Sequence, residues 1–168
     1  MNPSDHSEVD IETLPPMIVG SYRAISPTPE HDSTNYILAW LAESNLKNND
    51  TRIFGFDVEV TTEDSQAGKR GYEIWASVPA GTQASDGVKL EAFQGGLYAT
   101  LTLHRPFEDA FRTIPSGWKR LHEWVIRSEQ YQGAQHQWLE EKLDYEDGSD
   151  LKLYHPIVAK KKVNGLIR

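Results

Sequence analysis

The 168-residue chain is 38% hydrophobic and 25% charged, with a net charge of -8 and no cysteine. That balance fits one folded domain with its own core and excludes a disordered or disulfide-framed chain. The negative charge argues against a surface built to bind nucleic acid directly. No apolar run approaches membrane-spanning length, and the start, Met1 to Glu8, lacks the pattern of a signal peptide, so a cytoplasmic protein is expected.

Residues 1–13 are polar and acidic and read as a flexible arm. Met17 to Ile25 is rich in β-branched and aromatic residues and predicts a strand, ended by Pro27 and Pro29. Asp32 or Ser33 is the expected N-cap of a helix through about Leu46, whose stripe is Ile37, Trp40, Leu41 and Ser44. Arg52 to Val60 predicts a strand in which Gly55 marks a bulge or close packing. A polar loop, 61–71, leads to a strand from Tyr72 to Val78. Val88 to Leu103 reads as one long strand containing Gly95-Gly96, and Phe107 to Phe111 as a short helical turn. Ser116 is the expected cap of a second helix carrying Trp118, Leu121, Trp124, Val125 and Ser128. Gln135 to Pro156 reads as a hairpin turning through Tyr145 to Asp150.

The order strand, helix, strand, strand therefore occurs twice, over about 14–80 and 88–158. Gly20-x-Tyr22 corresponds to Gly96-x-Tyr98, and Tyr72 to Trp75 corresponds to Leu151 to Tyr154. The two helical stripes match at a constant offset of 84, Trp40 on Trp124 and Ser44 on Ser128 included. The expected fold is α+β: an antiparallel sheet with pseudo-twofold symmetry and two main helices on one face. A central groove lies between the helices, with the sheet as its floor. The basic segment 159–168 reads as a solvated tail.

Several stretches, in order, carry a likeness to a known family. They are Gly95 to Ala99, Pro106 to Asp109, Ile114-Pro-x-x-Trp118-x-x-Leu121-x-x-Trp124, Leu139-Glu140-Glu141, and Leu153-Tyr154-x-Pro156. Together they resemble the GyrI-like effector-binding domain, the small-molecule module of AraC-type and MerR-type multidrug regulators, over roughly residues 14–158. The resemblance implies the tandem fold read above and the binding of lipophilic cations and other hydrophobic compounds in its groove. The regulators carry a helix-turn-helix domain ahead of this module, and about 14 residues stand there in this sequence, so a stand-alone module is expected. The family's pocket strand reads Glu-x-Tyr, where this chain has Glu140 and Lys142.

The candidate site follows. Strand alternation puts Trp138, Glu140 and Lys142 on one face, and Leu139, Glu141 and Leu143 on the other. The family spacing favours Glu140 as the pocket acid, while the apolar neighbours of Glu141 keep it as a second candidate. Trp75 and Tyr154, equivalent in the repeat, are expected to line the groove symmetrically. Trp118 and Tyr36, near helix starts, are expected to lean over it. Core packing is the alternative for each of these rings, and Trp40 and Trp124 are assigned to the core. An acid among rings attracts a hydrophobic cation through charge and through cation–π contacts of roughly 0.5–2 kcal/mol per ring. The six histidines show no ligand spacing, so no metal is expected, and no motif calls for a cofactor or names a catalytic residue. Two further functions stay open. One is hydrolysis of reactive hydrophobic compounds in the same groove. The other is contact with a protein partner such as a regulator or topoisomerase. The sequence is compatible with a monomer or a dimer.

Overall fold

The computed structural model describes residues 2, 5–143 and 150–162. The strands are β1 (Asp10–Leu14), β2 (Met17–Ser26), β3 (Ile53–Val58), β4 (Arg70–Val78), β5 (Lys89–Phe93), β6 (Gly96–His104), β7 (Tyr131–Gly133), β8 (Leu139–Lys142) and β9 (Asp150–Ala159). The helices are α1 (Pro29–Glu43), the short α2 (Thr62–Gln66) and α3 (Ala110–Arg127), with a 3-10 turn over Pro106–Asp109. The strands form one antiparallel sheet in the order β1-β6-β9-β8-β3-β4-β2-β5, and β7 pairs with β9 off that path.

The strand order reads as two halves, β6-β9-β8 and β3-β4-β2, meeting at the β8–β3 seam. Trp75 and Tyr154 hold equivalent places: Trp75 pairs with Ser21 and Phe54, and Tyr154 with Thr100 and Leu139. Their neighbours are then equivalent too, Phe54 to Leu139, Gly55 to Glu140, and Phe56 to Glu141. Gly55 and Glu140 are also cross-strand partners, so the pseudo-twofold axis passes through that pair. The same pairing corrects the Gly20–Gly96 match. Val19, not Tyr22, is the counterpart of Tyr98, a slip of three residues. An odd slip reverses the face of a strand. Tyr22 accordingly packs on the helix side while Tyr98 is buried on the other side.

β1 and β5 change sides. β1 leads into β2 but pairs with β6, and β5 leads into β6 but pairs with β2. The two connections cross at Gly95, whose φ is +76° and where a Cβ would sit 2.3 Å from the Leu14 carbonyl oxygen. Only glycine fits that crossing. The expected single strand over 88–103 is therefore two strands in opposite halves of the sheet. Residues 10–13, expected in the arm, form edge strand β1 together with Leu14, with β6 as its template.

α1 packs on β2 and β4 and α3 packs on β6 and β9, both on the same face of the sheet. Ile37, Trp40 and Leu41 seat α1 against Ile74 and Ala76, and Leu121 and Val125 seat α3 against Leu101 and Leu153. Each such buried aliphatic side chain contributes roughly 1.5–3 kcal/mol. Pro29 does not end the preceding strand region but starts α1, where its missing N–H costs nothing and its φ is already helical. Ser116 is not a cap: it lies inside α3 beside Pro115, and its hydroxyl donates to the Arg112 carbonyl at 2.7 Å. The loop 61–71 holds α2, capped by the Thr61 hydroxyl accepting from the Asp64 N–H at 3.1 Å. β9 continues to Ala159, into the segment expected as tail. Of the expected hairpin turn over Tyr145 to Asp150, residues 145–149 lie outside the described residues, as do 163–168 of the tail, and Asp150 opens β9.

The opposite face carries a second core: Leu14, Val19, Phe54, Trp75, Phe93, Tyr98, Leu139 and Tyr154. Leu14 and Phe93 come from the two edge strands, so the sheet curls around this face as a half-barrel. The fold is α+β, as the sequence predicts.

Candidate functional site

The sheet separates the predicted site residues. β8 is four residues long, and its alternation sends Glu140 and Lys142 to the helix face and Leu139 and Glu141 to the curled face. Trp138, just before the strand, joins Glu140 on the helix face. Trp75 and Tyr154 lie with Glu141 on the curled face, not along the groove.

On the curled face Glu141 is 5% exposed. Its carboxylate accepts two hydrogen bonds from Arg52, from Nε at 2.7 Å and Nη2 at 2.9 Å, and one from the Tyr154 hydroxyl at 2.5 Å. The Arg52 guanidinium lies 5.1 Å from the centroid of Phe54, and Lys152 Nζ 5.4 Å from that of Tyr154. Glu12 of β1 completes the group, ion-paired to Lys152 and 3.8 Å from Arg52. Burial and the Glu141 charge push the Tyr154 phenol well above its usual range, and the bond to Glu141 raises Arg52. An acid, rings and a cation are all present here, and the cation belongs to the chain itself. Sequence reasoning missed Arg52; the signal available was a lone arginine directly before an aromatic strand.

Between α1 and α3 lie β8 and β3; α1 covers Ile53 at the start of β3, while the main helix contacts fall on the strands to either side. We read the strip that remains, with Glu140, Lys142 and Asp57 on it, as the floor of a furrow. Glu140 sits at its centre, partly buried, with no hydrogen bond and no ion pair among the described residues. Burial, with the nearby Asp57 and Glu30 charges, pushes its pKa up to about 7, and Lys142 pulls the other way. Lys142 does not pair with it; its ammonium lies 5.9 Å from the centroid of Phe107. Gly55, the symmetry counterpart of Glu140, makes room for the Tyr72 ring: a Cβ there would meet the Tyr72 hydroxyl at 2.2 Å. Tyr72 fills that space, and burial raises its pKa well above the ordinary phenol value.

One wall of the furrow is aromatic. Trp138 is 40% exposed and meets Trp118 of α3 at 5.4 Å between centroids. It covers His155 of β9 at 4.0 Å, and His155 stacks on His122 of α3 at 5.3 Å. The segment before Trp138 is tied to β6. The Tyr98 hydroxyl donates to the Gln137 carbonyl at 2.6 Å, and His136 Nε2 lies 2.8 Å from the Leu97 carbonyl. Trp138 and Trp118 thus meet as a wall beside Glu140. Tyr36 does not join them: it stacks on Tyr22 at 3.9 Å and donates to the Asp86 carbonyl at 2.7 Å, out over β2. Of the pair assigned to the core, Trp40 is buried, while Trp124 is partly buried against the α3 core. His122 and His155 were missed as partners because 33 residues separate them and no local spacing announces a contact.

The model of the integron-associated effector binding proteins matches residues 10–157. Among solved structures, the EcmrR C-terminal domain matches with a TM-score of 0.69 at 15% identity, covering 90% of this chain and 97% of that one. The longer EcmrR chain in a complex with DNA matches with a TM-score of 0.70 at 13% identity; this chain spans 57% of its length and is itself covered over 90%. SAV2435 bound to tetraphenylphosphonium matches with a TM-score of 0.56 at 12% identity, covering 90% of this chain and 94% of that one. No curated protein matches the sequence. No helix among the described residues is long and apolar enough to cross a membrane.

Proposed function

The chain belongs to the integron-associated effector-binding protein family, with a GyrI-like effector-binding fold, and on that premise we propose that it binds hydrophobic cations in the furrow between α1 and α3. The single observation that carries this is Glu140: an acid on the pseudo-twofold axis, partly buried, lacking any ion pair among the described residues, beside the exposed ring of Trp138. Desolvation makes its charge costly, and a bound cation would offset that cost. Trp138 and Trp118 supply apolar area and π faces for a flat or aryl-bearing ligand. The tetraphenylphosphonium bound by the fold neighbour SAV2435 is a ligand of this chemical kind.

The curled face supports the reading less well, because Arg52 already neutralises Glu141 there. The choice between the two acids is tested by titrating tetraphenylphosphonium calorimetrically. A cation prefers the ionised acid, and Glu140 ionises as pH rises through about 7. Binding is therefore expected to tighten between pH 5.5 and pH 8, by about tenfold, which is roughly 1.4 kcal/mol. Glu140→Gln is expected to weaken binding at pH 8 and to flatten the pH profile. Equal affinity of wild type and Glu140→Gln at pH 8 would overturn the assignment.

A further inference from the structure

We infer that the furrow discriminates among cations, taking those that carry an N–H donor, a protonated amine or an amidinium, ahead of quaternary ones, and that His122 makes the distinction. The inference rests on the furrow reading above and adds the ligand's chemical class.

The tautomers follow from the contacts. His155 Nδ1 lies 2.9 Å from the Pro156 carbonyl oxygen, and a carbonyl only accepts. His155 Nδ1 therefore carries the proton. The ring is 2% exposed, and burial, helped by the His122 neighbour, lowers its pKa, so it is neutral. Its Nε2 is then a lone-pair acceptor. His122 Nδ1 lies 3.0 Å from that nitrogen and must be the donor. A neutral His122 with its proton on Nδ1 keeps its lone pair on Nε2, for which the described residues hold no partner.

This lone pair is held in place. His155 is fixed by the Pro156 carbonyl and covered by Trp138, and it fixes the His122 ring in turn. His122 is exposed, 6.3 Å from Trp138 between centroids, at the Trp118–Trp138 wall. Glu140 stands on the same sheet face, two residues along from Trp138. Wall and floor therefore both offer acceptors. A protonated amine gives one N–H to each. A quaternary cation supplies charge and apolar area only and offers no N–H to the His122 lone pair, a loss that polar sites use to reject ligands.

The experiment compares 1-naphthylmethylammonium with its N,N,N-trimethyl counterpart by calorimetry at pH 8, in wild type and in His122→Phe. Wild type is expected to bind the primary ammonium about tenfold more tightly, the size of one charge-assisted hydrogen bond. His122→Phe is expected to abolish that preference by weakening the primary ammonium, and continued binding of the quaternary cation to the variant reports that the furrow is intact. Equal wild-type affinities, or a variant that weakens both ligands alike, overturn the inference and leave the furrow reading standing. If neither cation binds wild type, the furrow reading falls and the inference with it.

Discussion

Glu140 and Glu141 are consecutive in the chain, yet the sheet gives them opposite surroundings. Glu141 faces the curled side, where Arg52 and Tyr154 bond it and Phe54 is its cross-strand neighbour. Glu140 faces the furrow, where it has neighbours of its own sign in Asp57 and Glu30 and, among the described residues, no ion pair. One residue of strand alternation separates an acid whose charge the fold neutralises from one whose charge it leaves open. An acid next to aromatic rings is thus not in itself a cation site; the state of its counter-charge decides.

The largest expected effect breaks the satisfied acid. Arg52→Ala leaves the Glu141 carboxylate buried with only the Tyr154 hydroxyl, and removing one partner of a buried pair costs about 3–5 kcal/mol. Since Arg52 is partly exposed, the lower end is expected, as a drop in the urea midpoint at unchanged m-value. Glu141→Gln added to Arg52→Ala should recover part of the loss, because the stranded charge is gone. If the double variant is no more stable than Arg52→Ala, the pair contributes little and the contrast between the faces is weaker than drawn.

A smaller effect of opposite sign is expected at the open acid. The folded pKa of Glu140 is raised from 4.5 to about 7, so the native state holds a proton that the unfolded chain has released. Between about pH 4.5 and 7 this lowers stability as pH rises, and above 7 the whole deficit is present. Glu140→Gln should therefore match wild type below pH 4 and exceed it at pH 8, by about 2–3 kcal/mol at most. The same substitution is expected to weaken cation binding, so stability and function oppose each other at this residue. Denaturant titrations of both proteins across pH check it; a variant no more stable than wild type at pH 8 would mean that water already satisfies the carboxylate.

The repeated architecture was legible because helical stripes and strand runs are local signals. Ile37, Trp40 and Leu41 announced α1, and Leu121 and Val125 announced α3. Alternation also told correctly that Glu140 and Glu141 part company. What could not be read was which residue of another strand each would meet. Nothing near Arg52 in the chain points to Glu141, 89 residues away. The edge strands were hidden for a similar reason: β1 and β5 exchange halves, and a polar stretch such as Asp10 to Leu14 becomes a strand only when a partner edge receives it. Tyr36 was misplaced because a position near a helix start does not say which side of the helix faces the furrow. The three-residue slip between Gly20 and Gly96 arose from matching identical letters, where cross-strand partners set the register.

Lys142 offers the finest test of the comparison. Among the described residues it is the basic group acting on Glu140, and it lowers the acid's pKa without an ion pair to it. Its own pKa is lowered, by burial first, so it is a costly charge kept near a costly charge. At the pseudo-symmetric position across the seam, β3 carries Asp57 and no matching lysine, so the local field at Glu140 leans acidic. Lys142→Met removes the one opposing influence. The midpoint of the stability difference between acid and Gln forms should then move upward, by less than about one pH unit. Cation binding at pH 8 should be unchanged or slightly tighter in Lys142→Met, since a resident competitor has gone. A midpoint that falls instead would mean that Lys142 shields Glu140 from water more than it attracts it, and that the open acid owes its state to the packing of this one side chain.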